Sequence, residues 1–148
     1  MGKFDKMPDY LAHRPIVGVE KYYMYDGFRA FNTDAAVISV GIAQWDDDEE
    51  EISAKVFRHN GERWSRQSEE LPLHRCFDLC NLIIQAIGLS ENLELSKGIE
   101  FRPTYINEDM LKAIKTFYEA TDNESLILKM KNLRNLLNEF FQTEDQLG

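Results

Sequence analysis

Apolar and polar residues alternate along the first half of the chain, which is the spacing of β-strands. Strand patterns cover residues 16–25, 35–45 and 52–59. Every second residue from 36 to 42 is alanine, isoleucine or valine, and such an apolar face predicts a central strand packed against helices. Asn60-Gly61 follows the third pattern and is typical of a tight turn between antiparallel strands. We therefore predict a hairpin over 51–67 in an antiparallel sheet of three to five strands.

The second half of the chain changes to the helical spacing of three and four residues. Apolar stripes predict helices near 72–88, 108–121 and 125–142. Pro72 suits a first helical turn because a backbone N–H there would have no partner. Strands followed by helices indicate an α+β fold in which the helices cover the sheet. The stripe of the last helix is wide, so we expect it to pack on the domain or to contact a second chain.

The length of 148 residues is that of one domain. We predict an irregular lead-in over 1–15, which contains two prolines, and a single α+β domain over 16–148. No targeting segment and no long apolar run is evident, which predicts a cytoplasmic protein without a membrane span. Cys76 and Cys80 lie four residues apart on one predicted helix, a spacing that suits free thiols better than a disulfide.

The chain carries a formal net charge of −9, from 17 basic and 26 acidic residues. Residues 46–51 are all acidic, but adjacent carboxylates without a glycine do not have the alternate spacing of a calcium loop. We expect a solvated loop there. An acidic chain repels phosphate backbones, which argues against nucleic acid as a partner and favours a basic protein partner.

Residue types that bind ligands or react concentrate where the predicted hairpin meets the first helix: Trp64, Arg66, Glu69, Glu70, His74, Arg75 and Asp78. A purely structural interpretation places Glu69 and Glu70 at the positive end of a helix dipole, with Arg66 paired to either one. A functional interpretation predicts a pocket in which Arg66 binds an anion, His74 supplies a proton and Glu70 orients His74. His74 and Asp78 also have the spacing of an ordinary surface pair.

No spacing matches a nucleophile, nucleotide or metal motif. His13, His59 and His74 are single, with no second histidine or cysteine at ligand spacing, so we expect core or surface residues, and no metal and no cofactor. The predicted function is a non-enzymatic protein-binding or regulatory module that binds a protein partner or self-associates. The alternative is a small-molecule-binding protein or enzyme with a pocket at the hairpin–helix junction that uses Arg66, Glu70 and His74.

Two strings of the sequence, EISAKV at 51–56 and WSRQSEELPLHR at 64–75, resemble a segment of small, uncharacterised bacterial proteins. These proteins are grouped only as a domain of unknown function. The resemblance covers the middle third of the chain. It implies a bacterial, cytosolic origin and brings no activity or catalytic residue with it.

Overall fold

A computed structural model describes residues 6–46, 51–66, 68–95 and 102–147. One antiparallel sheet contains four strands in sequence order, which are β1 (Arg14–Val19), β2 (Ala35–Ile42), β3 (Ile52–Arg58) and β4 (Glu70–Pro72). Within the described ranges three α-helices follow, which are α1 (Leu73–Ser90), α2 (Leu111–Glu119) and α3 (Glu124–Leu147). The predicted α+β arrangement, with a sheet in the first half and helices in the second, is confirmed.

The chain divides into two compact units, Met1–Ile83 and Ile84–Gly148, and each is described by itself. The prediction of one domain over 16–148 stays a prediction. Positions 47–50 of the acidic run lie outside the described residues. None of the described helices combines the length and the apolar character that crossing a membrane requires.

Two details of the strand prediction are wrong. The first strand ends at Val19 instead of continuing to position 25, because Lys21 has a φ of 58° and residues Tyr22–Met24 form a short 3-10 helix. Asn60-Gly61 does lie in a turn, and Gly61 has the expected positive φ, 100°. Within the described residues, however, the returning segment pairs only at an isolated bridge between His59 and Trp64. The strand that pairs with β3 on the side away from β2 is β4.

The sheet has one polar and one apolar face, which the cross-strand pairs define. Ser39 of β2 lies opposite Lys55 of β3, and Lys55 lies opposite Glu70 of β4. We call this side the buried face; besides these three it carries Val37, Gly41, Ser53 and Phe57. The other side, the apolar face, carries Val17, Val19, Ile38, Val40, Ala54 and Val56.

The sequence predicts that the face with Ile38 and Val40 is covered, whereas the structure covers the opposite face. Ser39 is 4% exposed, whereas Val40, its neighbour on the supposedly enclosed face, is 42% exposed. The reason is that Met7 and Leu11 of the lead-in, together with Trp64, pack against the core on the other side of the sheet. A Cβ atom at Gly18 would lie 2.6 Å from the backbone oxygen of Ile38 and 2.2 Å from Met7 Cε, and because the backbone cannot move aside, a glycine is needed here.

The apolar stripe of α1 was expected to be covered, but much of it is open. Phe77 is 53% exposed, and Leu73, Ile83 and Ile84 are exposed as well. From the same stripe the two free cysteines, which are half-buried, line a depression on the apolar face of the sheet. Burial, with a smaller contribution from Cys80, raises the pKa of the Cys76 thiol above 9.0, which disfavours the reactive thiolate.

In the second unit, α2 contacts α3. The half-buried apolar residues of the two helices are Leu111, Ile114 and Tyr118 on α2 and Leu126, Ile127, Met130 and Leu133 on α3. Their spacing of three and four residues is that of one amphipathic face on each helix. The helices predicted at 108–121 and 125–142 are therefore present, the first shortened by a 3-10 turn at Glu108–Met110.

Candidate functional site

His13, the last residue before β1, is buried among polar side chains on the buried face of the sheet. Its Nδ1 atom lies 2.7 Å from Glu70 Oε1 and 3.0 Å from Ser53 Oγ, and its Nε2 atom lies 3.0 Å from Ser39 Oγ. The residue is 1% exposed. One imidazole ring therefore links the end of the lead-in to β2, β3 and β4.

The environment of His13 favours its neutral form. Burial lowers the pKa of its imidazole below 6.5; the hydrogen bond and charge of Glu70 oppose this shift, and the charge of Lys55 adds to it. A neutral imidazole has one donor and one acceptor nitrogen. Because the Glu70 carboxylate accepts at Nδ1, the Nδ1–H group is the donor, and Nε2 accepts from the Ser39 hydroxyl.

The two oxygens of the Glu70 carboxylate have different surroundings. In addition to His13, the Ser53 hydroxyl and the Gln44 backbone N–H donate to Oε1, at 2.9 Å and 3.1 Å. The second oxygen, Oε2, is buried and accepts no hydrogen bond from the described residues. A buried acceptor without a donor costs free energy, so the position of Glu70 is maintained by the three donors to Oε1.

Lys55 places a positive charge on the same buried face. It is 6% exposed, and its Nζ atom lies 5.3 Å from the centre of the Phe57 ring, within the range of a cation–π interaction. No ion pair joins Lys55 to another residue in the described ranges. Buried lysines are normally paired, so an unpaired one beside a cavity indicates a place for an anion.

Two adjoining depressions open beside this cluster, and we call them together the cationic groove. The inner cavity has a volume of about 300 Å³ and is lined by Tyr10, Leu11, Ala12, His13, Gln44, Lys55, Ser65 and Arg66. The outer cleft has a volume of about 680 Å³ and is lined by Tyr10, Leu11, Asp34, Arg58, Asn60, Arg63, Trp64, Ser65 and Arg66. Four lining residues are common to both, so the cleft and the cavity lie side by side.

Basic residues dominate the walls of the cationic groove although the whole chain is acidic. Arg58 is neutralised by Glu69 and Asp34, whose hydrogen bonds and charges raise the pKa of its guanidinium. Arg63 and Arg66 are exposed and have no ion-pair partner in the part of the chain that the structure describes. With Lys55 they leave the groove locally positive, which the net charge of the chain conceals.

The residues predicted from the sequence separate into three groups in the structure. Arg66 lines both parts of the groove, and Trp64 forms a wall of the outer cleft by packing edge-on against Phe57 and His59. Glu69 pairs with Arg58 and Glu70 with His13, as described above. His74, Arg75 and Asp78 are exposed on α1 and line neither depression. Arg66, Glu70 and His74 therefore do not converge on one pocket, and the histidine that contacts Glu70 is His13.

Sequence reasoning missed His13, Ser39, Ser53 and Lys55. For Ser53 and Lys55 the sequence did contain a signal. The alternation of a strand places both on the same side as Phe57, a large aromatic residue that is expected to be buried. His13 gave no signal, since it lies in a segment without periodicity. Among the described residues, no group of three His, Cys, Asp or Glu side chains is placed to hold a metal ion.

The part of the chain that contains this site matches the model of one protein family. A family model described as a family of unknown function, DUF6530, matches residues 5–100. The chain belongs to this family. The DUF6530 match contains all four strands, α1 and every residue of the cationic groove, whereas α2 and α3 follow it. The resemblance of the middle third to a domain of unknown function is thus confirmed. Neither the curated proteins nor the solved structures contain a match to the chain.

Proposed function

We propose that the protein binds a small anionic molecule in the cationic groove. The observation that carries this proposal is Lys55, a buried ammonium without an ion-pair partner among the described residues, at the wall of a cavity. A buried cation costs free energy unless an acceptor or an anion compensates it. A carboxylate or phosphate group of a ligand in the inner cavity supplies that compensation.

The dimensions of the groove suit a small molecule. Ligand pockets in proteins have volumes of roughly 300 to 1,000 Å³, and the inner cavity and outer cleft fall in that range. Arg66 lines both depressions, and an arginine guanidinium can form two parallel hydrogen bonds with a planar anion. Tyr10 and Trp64 give the outer cleft aromatic surface for an apolar part of the same ligand.

His13 has a positioning role in this proposal. Both ring nitrogens are occupied by side chains of the sheet, and the ring is neutral, so it is poorly placed to exchange a proton with a ligand. Its hydrogen bonds hold the preceding residues Tyr10 and Leu11, which form one side of the groove. This arrangement favours binding over catalysis, in keeping with the absence of a catalytic motif.

A protein-binding role is the second candidate, and the exposed apolar residues of α3 favour it. Leu136, Leu137, Phe140 and Phe141 are between 39% and 64% exposed. Contiguous apolar surface of this kind is typical of interaction sites. A bacterial, cytoplasmic protein, as the family resemblance implies, would meet its partner in a reducing compartment where Cys76 and Cys80 stay as thiols.

The binding proposal is tested by thermal unfolding of the full chain with inorganic phosphate, citrate and glutamate, and with glucose as an uncharged probe. A bound ligand raises the melting temperature in proportion to the logarithm of its concentration over Kd. We expect at least one of the anions, and not glucose, to stabilise the wild-type protein. Equal effects of all four probes, or none, would contradict the proposal.

Matched variants assign the stabilisation to the groove. Arg66→Ala should reduce the ligand-induced shift, whereas Arg75→Ala, which removes another exposed arginine, on α1, should leave it unchanged. Lys55→Met should abolish the shift, because it removes the buried charge and keeps the length of the side chain. The shift is compared within each variant, so an altered melting temperature of the free variant does not affect the result. Equal shifts in the Arg66 and Arg75 variants would place the anion elsewhere.

A further inference from the structure

Three cations of the cationic groove have no carboxylate partner in the part of the chain that the structure describes, and these are Lys55, Arg63 and Arg66. Of the two parts of the groove, Lys55 lines only the inner cavity, Arg63 lines only the outer cleft, and Arg66 lines both. A ligand with a single anionic group at Lys55 would leave the charge of Arg63 uncompensated. The distribution of these cations therefore bears on the class of anion that the groove binds.

Backbone hydrogen bonds determine where Arg63 lies relative to Lys55. The N–H group of Ser65 donates to the carbonyl oxygen of Arg58 at 2.7 Å, and the N–H group of Asn60 donates to the carbonyl oxygen of Arg63 at 3.2 Å. The chain after the turn therefore runs back beside the end of β3, with Arg63 next to position 60. Because a strand advances about 3.3 Å per residue, the backbones of Lys55 and Arg63 are separated by roughly 16 Å along the strand direction.

Arg66 lies between these two cations. It follows Ser65 directly, and Ser65 is paired with Arg58, which lies between positions 55 and 60. This position agrees with its contribution to the walls of both depressions. Lys55, Arg66 and Arg63 therefore form a row of basic residues that leads from the inner cavity to the outer cleft.

The turn that carries Arg63 is fixed by side chains of its own. Asn60 Oδ1 accepts hydrogen bonds from the backbone N–H groups of Glu62, at 2.9 Å, and of Arg63, at 3.0 Å. The N–H group of Gly61 donates to Nδ1 of His59 at 2.9 Å. Glu62, the carboxylate nearest to Arg63 in sequence, lines neither part of the groove. The backbone at Arg63 is thus ordered before a ligand arrives, which reduces the entropy lost on binding.

The carboxylates around the groove have partners of their own. Asp34, which lines the outer cleft, pairs with Arg58, and Glu69 pairs with the same guanidinium. Glu70 is bonded to His13, as described above. The chain as a whole carries a net charge of −9, so it repels a dianion more strongly than a monoanion. A preference for two negative charges in the ligand would therefore come from the local cations.

Apolar and aromatic side chains line the groove together with the basic ones. Tyr10 and Leu11 line both the inner cavity and the outer cleft, and Trp64 lines the outer cleft. The Trp64 ring is held edge-on against Phe57 and His59, with centroid distances of 6.0 Å and 4.9 Å. A ligand whose anionic groups are joined by an apolar link has surface to pack against here.

We propose that the ligand of the cationic groove carries two separate anionic groups, carboxylate or phosphate, joined by an apolar link. One group lies at Lys55 in the inner cavity, and the other lies at Arg63 in the outer cleft. Arg66, which lines both, binds either group. Charge-assisted hydrogen bonds at both ends hold such a ligand more tightly than one with a single charged end. This inference rests on the proposed function, because it takes the groove as the binding site, and it adds the class of anion.

Matched carboxylic acids test this class of ligand. Succinate, adipate and suberate have the same numbers of carbon atoms as butyrate, hexanoate and octanoate, but each has a second carboxylate. Isothermal titration calorimetry of the full chain at constant ionic strength gives the dissociation constant of each acid. We expect suberate to bind about tenfold more tightly than octanoate, because only suberate places a carboxylate at each end of the row. The preference for the diacid should be smaller for the shorter pairs, which span less of the row.

A variant at the outer end of the row assigns the second carboxylate. Arg63→Ala should raise the dissociation constant of suberate about tenfold, to the value of octanoate, and should leave octanoate unchanged. Arg75→Ala is the matched control, since it removes an exposed arginine that lines neither part of the groove. It should change neither dissociation constant. Both substitutions are at exposed positions, so the fold is retained, and circular dichroism verifies this.

The outcomes separate this inference from the proposed function. Equal dissociation constants of suberate and octanoate, or a preference for suberate that Arg63→Ala leaves intact, would overturn the assignment of two anionic groups. Stabilisation by phosphate, citrate or glutamate without binding of any of the six acids would overturn it as well, and the groove would remain a site for small anions. If the acids do not bind and these three anions also leave the melting temperature unchanged, the proposed function itself is wrong.

Discussion

The two faces of the sheet differ in a way that the usual division between polar surface and apolar core does not explain. On the buried face, a serine, a lysine and a glutamate lie in one cross-strand row, shielded by the lead-in and by Trp64. On the apolar face, valines of β1 and β2 are exposed to solvent. Burial in this sheet therefore follows from which segment crosses which side, and not from the polarity of the strands.

The difference between the faces has a physical consequence for stability. Polar groups on the buried face stabilise the fold only while each of them keeps its hydrogen-bond partner. A buried polar group that loses its partner destabilises the fold by its full desolvation free energy. Valines on the apolar face are already partly hydrated, so truncating them removes less buried apolar area. We expect substitutions on the buried face to be costly and those on the apolar face to be mild.

The largest effect is expected from Glu70, which can be compared with its neighbour Glu69. Glu70→Ala removes the acceptor for His13, Ser53 and the Gln44 N–H group and should lower the free energy of unfolding by about 3 kcal/mol. Glu69→Ala breaks only a solvent-exposed pair with Arg58 and should cost at most about 1 kcal/mol. Urea unfolding monitored by tryptophan fluorescence measures both values. Equal losses would mean that the buried hydrogen bonds of Glu70 stabilise the fold no more than the exposed pair of Glu69 with Arg58.

The same chemical change can be made on both faces of one strand. Val37→Ala deletes a fully buried side chain and should cost about 2 kcal/mol, from lost transfer free energy and a residual cavity. Val40→Ala, three residues further on the apolar face, should cost about 0.5 kcal/mol, because that side chain is 42% exposed. Urea unfolding under identical conditions gives the difference. A larger loss at Val40 than at Val37 would show that the apolar face is covered in solution, for example by another chain.

The sequence was sufficient to predict the fold class, and the reasons are local. Strand alternation and helical spacing are properties of neighbouring residues, so the patterns at 35–45, 52–59 and 125–142 identified real elements. Tyr22–Met24 was misassigned as strand because aromatic residues suit strands, while the positive φ at Lys21 that ends the strand has no such signal.

The candidate site was only partly predictable, because it is built from residues distant in sequence. Arg66 and Glu70 were found by composition, but their partners come from elsewhere: His13 is 57 residues from Glu70 and has no motif around it. The burial of Lys55 depends on the path of the lead-in across the sheet. No spacing within a strand encodes that path, so the buried face could be recognised only in three dimensions.

The smallest expected effect is a dependence of stability on pH that His13 causes. Burial lowers its folded-state pKa below the unfolded value of 6.5, so between the two pKa values the unfolded chain binds more protons than the folded one. The contribution is fully present above pH 6.5 and is lost as the pH falls toward the folded-state pKa. Two charged groups face His13. Glu70 raises its folded-state pKa and Lys55 lowers it, so together they determine how far this pKa lies below 6.5.

His13→Gln removes the titrating group and should flatten the dependence of the unfolding free energy on pH between about pH 7.5 and about pH 5.5. The control is His74→Gln, which changes an exposed histidine on α1 and should leave the wild-type slope unchanged. Urea unfolding at several pH values measures the slope in all three proteins. If His74→Gln flattens the curve and His13→Gln does not, proton uptake on acidification takes place on the helix surface and not on the buried face.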